Sequence, residues 1–419
     1  MTATPIVRVR DVTDLVTKGT TPTSLGRRFT TSGVRFLKVE TFALDGTYLP
    51  GREAYIDHST HQLLRRSQLA EGDILFSIAG ALGRSTVVER SWLPANTNQA
   101  FAIVRPSSRR NAVRPRYLLW QLRSPAIAER VDEINVQAAQ ANLSLEQVRD
   151  FEIPVVPIPQ QDAIVESLDD ANDLISALEQ KIAKKHAIRQ GMMQELLTGK
   201  TRLPGFTVPW IEVRLGNHVS YLKSVALSRA QLDEASPLKY LHYGDIHTRT
   251  AVTLDAVREA LPRAAASLAG RASRLRAGDL VFADASEDQT GVGKSVEIVA
   301  VSPDGLVPGL HTIAARFDES ILADGFKAYL QFIPLFRSAL LRLAAGTKVL
   351  ATTRSFISSI TLPLPGVDEQ REIVSVIADA DREISLLRDR LAKSRQIKQG
   401  MMQELLTGRT HLPVAEAAR

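Results

Sequence analysis

The segment IRQGMMQELLTGKTRLP at 188–204 returns as IKQGMMQELLTGRTHLP at 397–413, displaced by 209 residues (400 − 191 = 209 for the shared glycine). Fourteen of the 17 positions are identical, and the exceptions are Arg189/Lys398, Lys200/Arg409 and Arg202/His411. A repeat of this length constrains the fold strongly, because whatever the segment packs against has to be provided twice. The same displacement, without a gap, pairs Ile153-Pro154 with Leu362-Pro363, Gln161 with Gln370, Ile164-Val165 with Ile373-Val374 and Asp170-Ala171 with Asp379-Ala380. Further upstream, EGDILFS at 71–77 answers AGDLVFA at 277–283, and GRS at 83–85 answers GKS at 293–295. The chain is a tandem duplication. Each half is a diverged part followed by a near-identical tail, and divergence is confined to the first of these.

The tail has the spacing of a long helix. Ile164, Leu168, Ala171, Ile175, Leu178 and Ile182 step by four and three, the seam of a coiled coil, and Ile373, Ile377, Ala380, Ile384, Leu387 and Leu391 repeat it. Pro157 and Pro159 precede the first helix, and Gly199 followed by Pro204 closes it, which predicts a helix over about 160–198. Gly191 and Gly400 lie inside the two helices at a cost of about 1 kcal/mol each against Ala. Retention of both is consistent with close backbone approach to another chain; a local break in the helix is the alternative. A narrow apolar stripe needs a partner, and its own copy is the nearest one. Antiparallel pairing would then place the diverged parts at opposite ends of a rod with an internal pseudo-two-fold axis.

The diverged parts have α/β (α+β) character. Apolar and alternating runs at Val34–Val39, Asp73–Ile78, Ser85–Val88 and Phe101–Val104 predict strands, and Arg116–Leu122 and Pro125–Ile134 predict short helices. In the second half Leu280–Ala283, Ser295–Val301 and His311–Phe317 predict strands, and Phe326–Ala344 a helix. The expected organisation is a multidomain chain: a first globular domain over 1–152, a helical spacer over 153–204, a second domain over 205–361, a second spacer over 362–413 and a tail over 414–419. A length of 419 residues suits two or more cores.

Composition narrows the function classes. No apolar run reaches membrane-spanning length and the first residues lack a signal-peptide core, so a soluble, cytoplasmic protein is expected. The absence of cysteine excludes disulfides, thiolate metal sites and a thiol nucleophile. A formal charge of +6 permits a polyanionic partner without requiring one. Residues 1–152 carry 20 basic side chains, of which only Lys18 and Lys38 are lysines. Arginine suits phosphates and guanine edges, although a GC-rich genome gives the same bias.

Catalytic patterns are missing. DQTGVGKS at 288–295 fails as a phosphate-binding loop because Asp288 stands where the leading Gly is needed, and the first half has ALGRS there. The duplicated Gly-basic-Ser turn is better taken as a hairpin or as a loop reaching a phosphate. The eight histidines show no metal spacing, and His242 and His247 fall in a segment expected to be strand and turn. No Gly-x-Ser-x-Gly elbow and no Asn-Pro-Pro-Tyr/Phe box occurs. The polar features suit DNA contact instead. Arg27, Arg28, Arg65, Arg66, Arg84, Arg109 and Arg110 lie in expected loops, with Arg114 and Arg116 close behind. Asn98 and Gln99 precede a strand, Gln140 and Asn142 lie in NVQAAQANLS, and Lys294, His311 and Lys348 are candidates in the second half. Arg matches guanine, and Asn or Gln matches adenine, through paired hydrogen bonds in the major groove.

Over essentially its whole length the chain resembles the specificity subunit of type I restriction-modification systems. The resemblance rests on VRVRDVTDLVTKGTTP, GDILFS, NQAFAIVRP and NLSLEQVRDFEIPVVPIPQQ in the first half. The second half carries GDLVFA, GLHTIAARF and SFISSITLPLPGVDEQ, and GMMQELLTG ends both. It implies two target-recognition domains that each read half of a split, asymmetric site, with the helices setting the gap. It implies a non-catalytic subunit that binds no cofactor of its own in a phage-defence complex. The partners would be double-stranded DNA, two copies of a methyltransferase subunit using S-adenosylmethionine, and restriction/motor subunits using ATP and magnesium. The adenine to be methylated would be flipped into the partner's pocket. A coiled-coil scaffold that binds proteins without reading DNA is the alternative.

Overall fold

Each diverged half begins and ends on the same two-stranded ribbon. Ile6–Arg8 pairs antiparallel with Glu152–Pro154, and Ile211–Arg214 with Thr361–Leu364. The ribbon brings the chain back to its starting point immediately before a long helix, Ile158–Leu197 in the first half and Val367–Leu405 in the second. The computed structural model describes residues 4–108, 112–136, 142–286, 288–344 and 350–413. The chain divides into two compact units, residues 1–179 with 389–419, and residues 180–388.

In unit 1 an antiparallel sheet runs in the order 13–18, 101–106, 74–77, 85–87, beside a second sheet ordered 54–56, 34–37, 95–97. Unit 2 repeats the first sheet as 219–221, 312–317, 280–283, 295–300, and adds 253–255 at its edge. Its parallel pair 239–241 and 306–308 answers the parallel pair 34–37 and 95–97. One buried ion pair sits at the same place in both large sheets. Arg105 clasps Asp73 through Nε (2.6 Å) and Nη2 (2.7 Å), and Arg316 clasps Asp279 at 2.7 and 2.8 Å. Both aspartates are fully buried, so each needs its fork of donors. The match is incomplete elsewhere: unit 2 buries Glu297 and Lys327, and burial pushes the Glu297 carboxyl up to about 7.

A buried glutamine ties each helix to its unit. Gln161 Nε2 donates to the carbonyls of Ala112 and Val156, and its Oε1 accepts from Arg114 N–H at 2.9 Å. Gln370 does the same with Ile321, Pro365 and Ala323, every partner displaced by 209 (370 − 161 = 209). An amide is one of the few side chains that can serve two carbonyls and an N–H at once.

The repeated segment closes a core in each unit. Leu405 and Leu406 join Ile164, Leu168 and Tyr117 in the core of unit 1; Leu196 and Leu197 join Ile373, Ile377 and Phe326 in that of unit 2. Burial of each leucine stabilises by about 1.5–3 kcal/mol. Gly199 and Gly408 adopt φ of 68° and 70°, the left-handed turn that ends a helix. Beyond the turn, Thr201 donates to Glu195 (3.0 Å) and Thr410 to Glu404 (3.1 Å). Where the copies differ, their partners differ as well. Arg202 donates to Glu369 at 2.5 and 2.6 Å, whereas at the matching place Gln160 bonds the backbone of Leu412.

The helices run antiparallel within each unit. Lys185 and Arg189 meet Glu383 and Asp381 in unit 2, while Asn172 and Glu179 meet Lys398 and Arg395 in unit 1. Of the seam residues, Ile164, Leu168, Ile175, Leu178, Ile373, Ile377, Ile384 and Leu387 are buried, and Ala171, Ile182, Ala380 and Leu391 are half-buried. The helix continues through Gly191 and Gly400, so neither is a local break, and a Cβ at either would meet nothing within 4 Å. Among the described residues no helix is long and apolar enough to cross a membrane.

Most expected strands lie within a residue or two of the observed ones, and two expectations fail. The helix over Phe326–Ala344 is two pieces, Lys327–Phe332 and Pro334–Ala344, because Pro334 holds Ile333 in an extended conformation (ψ 117°). The segment around His242 and His247 is a short helix, Tyr243–His247. His242 caps it by accepting from Gly244 N–H, while Asp245 returns a bond to His242 N–H.

Replacing Gln161 or Gln370 with Leu strands one buried N–H and two carbonyls. Each substitution should lower stability by about 2–4 kcal/mol. In urea unfolding of the full chain followed by hydrogen exchange, protection should fall in the unit that holds the substituted residue.

Candidate nucleic-acid interface

In both units three connections, joined to four strand ends, meet at one end of the large sheet. In unit 1 they follow Lys18 and Ser77 and precede Ser85 and Phe101. The backbone there is tightly packed: Thr20 N–H bonds Thr97 O, and a Cβ on Gly19 would lie 2.1 Å from that same oxygen. Ile78 links the group, donating to Ala100 O (2.8 Å) and accepting from Leu143 N–H (2.9 Å). In unit 2 Asp284 takes the same position, with His311 O at 3.1 Å and Thr352 N–H at 2.7 Å. Both units therefore present loops anchored by backbone bonds at one end of the sheet, the arrangement that carries binding residues in many folds.

The candidate residues separate into two groups. Arg27, Arg28, Arg65, Arg66, Gln99, Asn142 and His311 are exposed. Gln99 lies on the turn before Phe101, where its Oε1 accepts from the Thr21 hydroxyl. Asn98, beside it, is half-buried and caps Ala100 N–H at 3.2 Å. Asn142 bridges Ala79, so Asn98, Gln99 and Asn142 share the sheet end. Arg27 and Arg28 follow the short turn Pro22–Leu25, and Arg65 and Arg66 stand on a segment that buried Asn96 anchors through Leu64 O. Arg109, Arg110, Gln140 and Lys348 lie outside the described residues.

Arg84 and Lys294 are turned inward. Arg84 Nη1 donates to the carbonyls of Val39 and Phe42 at 3.0 and 2.9 Å, and Lys294 Nζ donates to His247 O at 2.5 Å. The Gly-basic-Ser turn is thus a hairpin, with Gly83 and Gly293 at φ 77° and 72°, whose basic residue clamps a neighbouring segment of its own unit. Arg114 and Arg116 are likewise engaged, by Asp162 and Asp169 of the long helix. The loop at 288–294 holds no phosphate cradle. Asp288 takes the Thr290 hydroxyl (2.6 Å) and Gly291 N–H (2.8 Å) for itself, and these bonds hold its carboxyl below the usual range.

Sequence reasoning missed the cluster around Tyr243. Its ring is 4.4 Å from that of His242, 6.0 Å from His247 and 5.4 Å from His311. Burial lowers the His242 pKa. A helical cap of the form His-Tyr-Gly-Asp was the available signal. Among the described residues no group of three or more His, Asp or Glu could hold a metal ion.

Comparison with known proteins bears on family and fold. Residues 6–185 match the family described as Type I restriction modification DNA specificity domain. A Methanocaldococcus jannaschii protein assigned as the MjaX type I restriction enzyme specificity subunit is 22% identical over 376 residues, covering 85% of this chain and 82% of that one. The EcoBI specificity subunit of Escherichia coli is 26% identical over 133 residues, 32% of this chain and 27% of that one. In fold, the chain is similar to the HsdS subunit from Thermoanaerobacter tengcongensis (TM-score 0.55, 16% identity, 98% of each chain covered). It is also similar to the S subunit from M. genitalium (TM-score 0.54, 12% identity, 96% of each).

Replacing the exposed pairs Arg27/Arg28 or Arg65/Arg66 with Ala should weaken duplex binding uniformly across sequences. The slope of log K against log salt should flatten by about one for each phosphate that is no longer neutralised. Arg84→Ala and Lys294→Ala should leave that slope unchanged and lower the melting temperature, a split that titrations at several salt concentrations with parallel melts will expose.

Proposed function

We propose that this chain, a member of the type I restriction-modification specificity subunits, is the non-catalytic reader of a bipartite, asymmetric DNA site. The observation that carries the proposal is that both units keep one frame of buried bonds while the side chains at the matching sheet ends differ. Asn98 and Gln99 occupy the turn before Phe101 in unit 1, and His311 occupies the matching turn in unit 2. Unlike readers on like frames suit two unlike half-sites. Exposed arginines would supply affinity through phosphates, and the turn residues would supply base contacts.

Docking belongs to the repeated part. Ile188 and Ile397 are exposed at matching positions, and Gly191 and Gly400 one helical turn on face open space in this chain. A surface present twice suits two copies of one partner, here a methyltransferase subunit that supplies S-adenosylmethionine. Restriction/motor subunits, with ATP and magnesium, would join through it. The chain's own task is to hold the duplex in register while the partner flips out the adenine.

The purified chain should bind duplex DNA with an affinity that falls about a thousandfold or more between 50 and 200 mM salt, as expected for six or more phosphate contacts. It should transfer no methyl group from S-adenosylmethionine on its own. Salt-independent binding would favour a protein scaffold, and methylation by the isolated chain would make it an enzyme.

A further inference from the structure

We propose that His311 is a base-reading residue of unit 2, accepting a hydrogen bond at Nε2 from the exocyclic amino group of a cytosine or adenine in the major groove. The assignment rests on the DNA-reading function proposed above and names a side chain and a chemistry within it. His311 has φ 55°, and it is the one non-glycine residue with positive φ among the described residues. A residue so held is strained and persists only where its surroundings over-determine it.

Those surroundings are present. On one side, the Tyr240 hydroxyl, on a fully buried ring, accepts Leu310 N–H at 2.7 Å and donates to Val225 O at 3.1 Å. The turn cannot shift toward Tyr240, since even a Cβ on Gly309 would lie 2.4 Å from that ring. On the other side, the His311 carbonyl accepts Asp284 N–H (3.1 Å), and the Thr312 hydroxyl donates to Gly309 O (2.7 Å). The backbone is pinned before and after the strained residue.

The side chain is held as well, through Nδ1 on one side and the ring on another. Nδ1 lies 3.1 Å from Asp284 Oδ1, and a carboxylate only accepts, so Nδ1 carries the proton. In the neutral imidazole Nε2 then offers its lone pair. The ring packs edge to face on Tyr243 while its side chain remains 50% exposed. It stands at a cleft of about 940 Å³ whose other walls include Thr290, Gln331 and Arg337. In unit 1 the same turn has Ala100 at this position and projects Gln99 instead. An amide in one unit and an oriented imidazole in the other would read different bases from one place on a shared frame.

The test is selection of bound duplexes from a randomised pool by the full chain in complex with its methyltransferase subunits, with wild type, His311→Gly and Asp284→Asn compared. Glycine accepts the turn's φ, so His311→Gly should melt at or above the wild-type temperature. Discrimination should fall about tenfold or more at one base pair of one half-site, with the other half-site unchanged. Asp284→Asn should relax the same base pair. Unchanged selectivity in a folded His311→Gly protein would overturn the assignment, and so would an equal loss of affinity for all sequences. A wild-type complex with no base preference anywhere would overturn the proposed function itself, a result distinct from failure of His311 alone.

Discussion

A fully buried amide fixes where each long helix begins. Gln161 and Gln370 each close three backbone groups that burial would otherwise leave unpaired, and they do so with partners at matching positions. Leaving such groups unmade costs more than making them gains, so the helix can leave the domain at one place and in one direction. The ribbon before it and the leucine pair that closes the core both depend on that exit. With the helix start fixed, its seam faces the returning helix, and the ion pairs at 185–383, 189–381 and 179–395 fall into register.

The duplication then has a clear physical content. Each unit receives the start of one long helix and the end of the other, so the end must suit a core it did not grow from. Both ends carry the same Leu pair, Gly turn and Glu–Thr bond. Departures from identity come in matched sets: Arg202 faces Glu369 where the other unit uses Gln160, and Arg189 faces Asp381 where Lys398 faces Asn172. The turns at the sheet ends differ without such a match, with Asn98 and Gln99 in one unit and His311 in the other.

Much of this was legible in the sequence, for reasons that residues make plain. A seam spaced by fours and threes and a Gly–Pro stop define a helix locally, and the 209-residue displacement reveals the repeat without any structure. Direction was less legible. Arg84 and Lys294 look like phosphate contacts in a turn, but the carbonyls that capture them belong to Val39, Phe42 and His247, more than 40 residues away in sequence. The Asp73–Arg105 and Asp279–Arg316 pairs were hidden by unequal insertions, since the acids are displaced by 206 residues (279 − 73) and the arginines by 211 (316 − 105). The strain at His311 is a property of a turn held by Tyr240, and no local pattern announces it.

The central claim is that one frame carries two different readers. Mapping methylated bases across the genome of cells that express this chain with the methyltransferase subunits proposed as its partners is the decisive test. Two readers on one frame should yield two short blocks of specified bases, unlike each other and separated by an unspecified gap of constant length. A single continuous methylated motif would contradict it.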